Sequence, residues 1–476
     1  MKISEAFVLG KTQSELDFVD VDLECDAPLF VDPFAISQRL DSLSQECHLT
    51  LHAFFQRIVD DIRAGQASDA QALLLQLREP NETRLGYSAR RSQGAGIGAM
   101  QAGQLFAALR DSAAVQTGFL RSLEECELMI DGVARDKLSD LTTNVIRGHL
   151  AEYTRDQCIL FGISTRPLAL PPCFNRDTGQ WESRYLDLPV WNGKPILLVP
   201  KFFVRYGPAY EAGNYYNRYV LEYLRADALT AASALVRSLK NGKRVVHKKD
   251  LKREFPFSKR FLYEFSRAHP DVLARYRDDL AQIERRDRRA EVDPVDESTI
   301  AAALIAALPT ITPGNDDASN YHNFIIGAIE FLFFPQLIYP RKEHEIHEGR
   351  KRIDIVMENS ARSGPFSDLA IIRSFPAAHV FFECKNYGRE VGNPEIDQLS
   401  GRFSPERGKV GFLCCRGFDD RDRFIMRCRD TFRDDRGLML PLEDRTVLRW
   451  LDLVRRNMRH SLDREISDLI AEVWLN

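Results

Sequence analysis

Two opposite charges stand one residue apart where an apolar run ends. The segment HVFFECKNYGRE, residues 379–390, carries Glu383 and Lys385 directly behind Val380, Phe381 and Phe382. Side chains two apart on a strand share a face, so Phe381, Glu383 and Lys385 point one way and Val380, Phe382 and Cys384 the other. E-x-K alone says little, since roughly one or two such triplets arise by chance in a chain this long. Its company narrows the choice. Asp354, in RKRIDIVME, is flanked by Ile353 and Ile355, again a charge where a central strand wants none. Glu330 lies in FIIGAIEFLFF, a segment apolar nearly all round and therefore expected to be a buried helix. Buried carboxylates are costly unless paired or bound to a metal. The plain alternative is an ion pair on a solvated sheet face. Three acids and one lysine in apolar elements point instead to a shared divalent cation.

Such a set suits phosphodiester hydrolysis. Mg²⁺ prefers hard carboxylate oxygens, keeps some waters and takes further ligands from substrate phosphate. It lowers the pKa of a bound water and neutralises charge in the transition state. A lysine beside it can orient that water and add a positive charge.

The elements that would hold these residues follow from the pattern around them. DDASNYHNFIIGAIEFLFF (316–334) reads as a helix stopped by Pro335, and residues 336–358 as a hairpin turning near Glu348 and Gly349. HVFFECK (379–385) is an expected strand, NPEIDQLSGRF (393–403) a short helix with Pro394 in its first turn, and KVGFLCC (409–415) another strand. An Arg- and Asp-rich helix from Asp419 to Phe432, the strand GLMLPL and the helix EDRTVLRWLDLVRRN complete the series. Helix, three strands, helix, strand is the order of an α/β sandwich with a mixed sheet.

Glu330 on a helix, Asp354 in RIDIV and Glu383-Cys384-Lys385 on the next core strand resemble the PD-(D/E)xK nuclease superfamily, the restriction-endonuclease-like fold. The ECKNYG wording is similar to the branch holding Mrr-type restriction enzymes, archaeal Holliday-junction resolvases and Shedu-type defence nucleases. The resemblance covers roughly residues 316–442. It implies Asp354, Glu383 and Glu330 as metal ligands, Lys385 as the catalytic lysine and Gln398 as an accessory glutamine. It also implies Mg²⁺ as cofactor, with Mn²⁺ able to substitute, and DNA as substrate, with RNA left open. A restriction or anti-phage defence effector that forms homo-oligomers is the expected setting. A DNA-repair or junction-processing nuclease and an idle binding scaffold of the same fold are the rivals. One departure is the 29-residue step from Asp354 to Glu383, longer than a compact hairpin. ENSARSGPFSDLAIIRSFPAA would be an insertion with room for another strand.

At 476 residues the chain exceeds one ordinary core. The charged stretch 281–300 is the clearest seam, with Asp296 or Ser298 available to cap the next helix. Residues 1–285 are therefore expected to form a mixed α+β recognition or regulatory region, with a possible break near 160–190. Residues 286–300 are the expected linker and 301–476 the nuclease domain. An activating partner or ligand would act on the first region. The net charge of −4 confines any nucleic-acid surface to a local patch. That patch is expected in residues 234–260, where ten Lys or Arg face two acids. Lys243, Arg244, Lys248, Lys249, Lys252 and Arg253 are its candidates, with Arg350, Lys351 and Arg352 a second group beside Asp354.

Nine scattered cysteines without a C-x-x-C pair suggest reduced thiols. With no sustained apolar leader and no run long enough to span a bilayer, a cytoplasmic protein away from membranes is expected. Six tyrosines in residues 204–224 have spacing more typical of a core than of base stacking. FVDVDLECD, with acids at 20, 22, 24 and 26, reads as one strand with a solvated acidic face, and RSQGAGIGAMQAGQ as a flexible turn.

Overall fold

Alternating apolar runs and breaker residues divide the C-terminal half of this computed structural model into a five-stranded sheet with helices on both faces. The structure describes residues 1–86, 99–207, 209–231, 233–241, 243–284, 296–342 and 355–475. Four helices of the first half and its border matter below: α1 (Ser42–Arg63), α2 (Arg147–Phe161), α3 (Lys248–Glu254) and α4 (Glu297–Ala307). Then come α5 (Ala318–Phe333), β1 (Leu337–Arg341), β2 (Ile355–Asn359) and β3 (His379–Lys385). The chain closes with α6 (Asn393–Ser400), β4 (Val410–Cys415), α7 (Arg421–Arg433), β5 (Leu438–Glu443), α8 (Asp444–Arg455) and α9 (Leu462–Trp474).

The strands lie in sequence order, β1-β2-β3-β4-β5. The first three pair antiparallel and the last two run parallel to β3. The expected order of helix, three strands, helix, strand is the observed one. Both faces of β3 and β4 are covered, which is why Val380–Phe382 and all of β4 read as unbroken apolar runs. On one face the Phe382 ring stacks on Phe412 and meets Phe333 of α5, which in turn touches Trp450 of α8. On the other face Phe381 packs on Phe403, just past α6. That helix comes so close to the sheet that a Cβ on Gly411 would stand 2.8 Å from the Phe403 ring. Only glycine fits there.

The segment after β2 differs from expectation. Instead of a strand, Pro365–Ser367 and Asp368–Ile372 form short helical turns, with Phe366 buried against Phe333. FVDVDLECD also differs: it forms no strand beyond isolated bridges, and Asp20 is buried, accepting the Ser4 N–H and hydroxyl. The segment is irregular, with Asp20 buried and bonded to Ser4 while Asp22 and Glu24 face solvent as expected. The glycine stretch near residue 100 enters a helix at Ala99, and its residues 91–98 lie outside the described residues.

Two hydrophobic cores part along the chain. One gathers residues from Ile3 to Leu280, the other residues from Ile300 to Val473. They are not independent, because Phe334, Ile338 and Tyr339 belong to the first and Leu160 to the second. Residues 166–195 form short two-stranded ladders, two of which pack on α2 around a small core of Ala151, Leu170, Cys173, Leu188 and Leu197. The tyrosines of 204–224 are mostly core: Tyr210, Tyr215 and Tyr216 are buried, and Tyr215 and Tyr219 both pack against Tyr276. Among the described residues no helix is long and apolar enough to cross a membrane.

Candidate active site

The edge formed by the C-terminal ends of the parallel strands carries the cluster. Lys385, Cys415 and Glu443 are ladder partners there, so the last residues of β3, β4 and β5 share one face. Glu383, one step inward, is 1% exposed. Its Oε1 lies 2.7 Å from Lys385 Nζ and accepts a 2.7 Å hydrogen bond from Gln398 Nε2 of α6. Lys385 also donates to Gln398 Oε1 at 3.2 Å, closing a triangle. The other carboxylate oxygen, Oε2, accepts from Arg402 Nη1. Each element contributes by position: β3 ends its apolar run at Glu383, α6 presents Gln398, and Arg402 follows in the turn after α6. Next along the chain, Asn386 donates to the carbonyls of Thr312 and Gly314 at 2.9 and 2.7 Å, tying the loop before α5 beside Lys385.

On the Phe382 face of the same edge sits a separate acid. Asp444 accepts from the Tyr321 hydroxyl at 3.0 Å and pairs with Arg416 at 3.1 Å. Burial pushes its carboxyl up to about 6, with Arg416 and Tyr321 opposing.

The sequence-derived residues therefore divide. Glu383, Lys385 and Gln398 meet in one network. Asp354, Arg350, Lys351 and Arg352 lie outside the described residues; Ile355, which follows Asp354, pairs with Phe382, which precedes Glu383. Glu330 is held elsewhere. Its carboxylate pairs with Lys201 at 2.8 Å, on the side of α5 that meets the first half of the chain. Asp17 adjoins that pair, accepting from the Tyr153 hydroxyl at 2.7 Å and the Tyr339 N–H at 3.1 Å. Lys201 Nζ also lies 4.0 Å over the Phe334 ring. One helical turn earlier, Gly327 receives the Lys11–Glu15 ion pair against the helix; a Cβ there would stand 2.5 Å from Lys11 Nζ. Burial drives the Asp17 carboxyl upward, and the nearby Glu330 adds to the shift, while Lys201 opposes it. Glu330 is raised by burial too, again against Lys201. The structure brings Glu330 to a contact between the two halves of the chain and not to Glu383.

Arg402, Lys201 and Asp17 were not singled out from sequence. Arg402 had a signal, its i+4 spacing from Gln398; Lys201 and Asp17 had none, because their partners are 129 and 322 residues away.

A hard divalent cation suits Glu383 in kind, as a carboxylate with a lysine and an amide beside it. Among the described residues no three His, Cys, Asp or Glu stand together as a metal centre. A further ligand would be needed to complete such a centre, and Asp354, outside the described residues, is the sequence candidate.

The basic stretch is a short hairpin, Arg237–Ser238 with Arg244–Val245, followed by α3. Lys243, Arg244, Lys249 and Lys252 are exposed without an ion-pair partner among the described residues. Lys248 pairs with Glu222 at 2.7 Å and Arg253 stands 4.0 Å from Asp250. Lys259 is turned inward, to the carbonyls of Ile130 and Val133.

A family model described as a domain of unknown function (DUF8370) matches residues 8–211. The match ends before the basic hairpin and before the five-stranded sheet, and it includes Asp17 and Lys201 but not Glu330. No curated protein and no solved structure matches the chain.

Proposed function

We propose that the chain is a metal-dependent DNA nuclease of the restriction-endonuclease-like fold, acting as a restriction or anti-phage defence effector. The observation that carries the reading is the Glu383–Lys385–Gln398 network at the end of a central strand, within the order helix, three strands, helix, strand. Glu383 and Asp354 are the residues that would hold the cation. A bound Mg²⁺ would supply a low-pKa water and neutralise charge on the phosphate. Hydrolysis adds water across the P–O bond, so a proton leaves the attacking water and one is taken up by the departing oxygen. Lys385 stabilises the negative charge that gathers on the phosphoryl oxygens and orients the attacking water. Gln398 fixes Lys385 and Glu383 relative to each other by bonding both. The exposed lysines of residues 243–252 grip phosphate independently of sequence. The first half of the chain, docked on α5 and β1, is the regulatory region.

The test is incubation of the purified chain with plasmid, linear and single-stranded DNA in Mg²⁺, Mn²⁺ or EDTA, beside Asp354→Ala, Glu383→Gln and Lys385→Ala. Metal-dependent cutting that all three variants lose while keeping their folds is the expected result. Equal cutting by every protein would sink the assignment of the site.

A further inference from the structure

Arg402 is 4% exposed, yet the one side-chain hydrogen bond described for it is to Glu383 Oε2. Its Nε and Nη2 find no acceptor among the described residues. A guanidinium has five N–H donors, and burying one for stability alone favours satisfying most of them. Leaving buried donors unmet is costly. Among the described residues its one side-chain partner is a carboxylate oxygen of Glu383. The division of labour around Glu383 points the same way. Lys385, 13% exposed at its side chain, and Gln398 take Oε1; the side chain of Arg402, 2% exposed, takes Oε2 from the more enclosed side.

We infer that Arg402 is a positioning residue, which acts through Glu383 by fixing its carboxylate from the buried side in the orientation that a divalent cation needs. The inference rests on the metal-dependent reading above. Groups that orient a metal ligand from behind commonly change metal affinity or activity by about 10–100-fold when removed. Arg402 touches neither cation nor substrate in this role. Its loss therefore changes the metal concentration required far more than the rate once metal is saturating.

The experiment is calorimetric titration of the full chain with Mn²⁺ alone, for wild type, Arg402→Met and Arg402→Lys, with melting curves for each. Cleavage is then measured across Mg²⁺ concentrations. The expected result is an Mn²⁺ dissociation constant raised about 10–100-fold in Arg402→Met. A matching rise in half-saturating Mg²⁺, kcat within a few-fold of wild type at saturation, and substantial recovery in Arg402→Lys go with it. A role confined to packing moves the melting temperature and leaves the Mn²⁺ constant alone. A folded Arg402→Met that binds Mn²⁺ like wild type overturns the inference and spares the nuclease reading. Wild type that neither binds Mn²⁺ nor cuts DNA overturns both. Should Arg402→Met lose its melting transition, Mn²⁺ titration of the milder Arg402→Gln decides: a raised dissociation constant supports action through Glu383, and a wild-type constant overturns it.

Discussion

Two of the buried carboxylate–lysine pairs among the described residues, 2.7 and 2.8 Å across, are told apart by their surroundings. Glu383 and Lys385 come from one strand end, with Gln398 from the next helix. Everything in that network lies within 20 residues, and the lysine reaches toward the surface. Glu330 and Lys201 are brought together across 129 residues, with side chains 0% and 5% exposed, and they share their site with Asp17, Tyr153 and Tyr339. The first arrangement holds charges at an edge that a substrate can approach. The second seals charges into the contact between the N-terminal region and α5. A buried pair of this second kind is weak evidence for catalysis and a strong lever on folding. The same residue types in the same apolar settings thus serve two ends, and only the partners tell them apart.

The comparison breaks first on stability. Lys201→Ala leaves two buried carboxylates without their cation, which costs about 3–5 kcal/mol of unfolding free energy. Lys201→Met with Glu330→Leu recovers most of that loss, because an apolar pair no longer needs neutralising. Denaturant unfolding of the two variants checks both statements. If Lys201→Ala melts like wild type but cuts no DNA, the roles of the two clusters have been assigned the wrong way round. Next in size is Lys385→Ala, expected to lower kcat by about 10²–10³-fold while shifting stability little. Steady-state cleavage paired with a melting curve measures it.

What was legible in the sequence follows from the same contrast. Glu383 and Lys385 could be read because strand alternation relates near neighbours to a face, and Gln398 through the family resemblance. The order of the sheet could be read because Gly, Pro and Asp mark the ends of its apolar runs. Glu330 was rightly read as buried in a helix, yet its side of that helix was not legible, since FIIGAIEFLFF is apolar all round. The helix offers no polar stripe to distinguish the face toward the sheet from the face toward residues 11–20. FVDVDLECD misled for a related reason. Its alternation is real, but Asp20 is satisfied by Ser4, 16 residues away, not by water. Arg402 lay within the expected helix 393–403, four residues after Gln398, and that spacing was the signal left unused.

A smaller effect, in pH, sharpens the comparison. The Asp17 carboxyl is pushed up to about 7 from an ordinary 3.8, by burial first and Glu330 second, against Lys201 and the hydrogen bonds from Tyr153 and Tyr339. Between those values the folded protein holds a proton that the unfolded chain releases. The contribution is thus fully present below about pH 4 and lost as pH rises through 7, with a slope of at most about 1.4 kcal/mol per pH unit for one proton. Asp17→Asn should flatten the fall in stability between pH 5 and 7.5, leaving the share owed to the other acids that burial raises, among them Glu124, Glu127 and Asp140 to about 7 and Asp444 to about 6. Chemical denaturation at both pH values reads it. An unchanged slope would mean that Asp17 stays ionised in the folded protein and that Lys201 offsets its charge together with that of Glu330.

Under the proposed reading neither cluster would supply most of the affinity for DNA, since both are largely enclosed. That affinity is assigned to the hairpin and α3, and here the expected effects are the smallest. Lys249→Ala and Lys252→Ala remove exposed charges that make no ion pair among the described residues, so each should weaken binding modestly and equally for any sequence. The slope of log affinity against log salt should drop by about one for each phosphate that is no longer neutralised. Lys248→Ala is the internal control. Its ammonium already pairs with Glu222 at 2.7 Å, so removing it costs one cation and leaves that carboxylate with Arg225, at 3.6 Å, as its cationic partner. The carboxylate, less fully neutralised, repels phosphate, and binding should fall as much as for Lys249→Ala or more. Salt titrations of DNA binding in EDTA, where cleavage is silent, separate the cases. Salt slopes unchanged from wild type in all three would move the DNA-binding surface off this patch and leave the proposed division between the two buried clusters untouched.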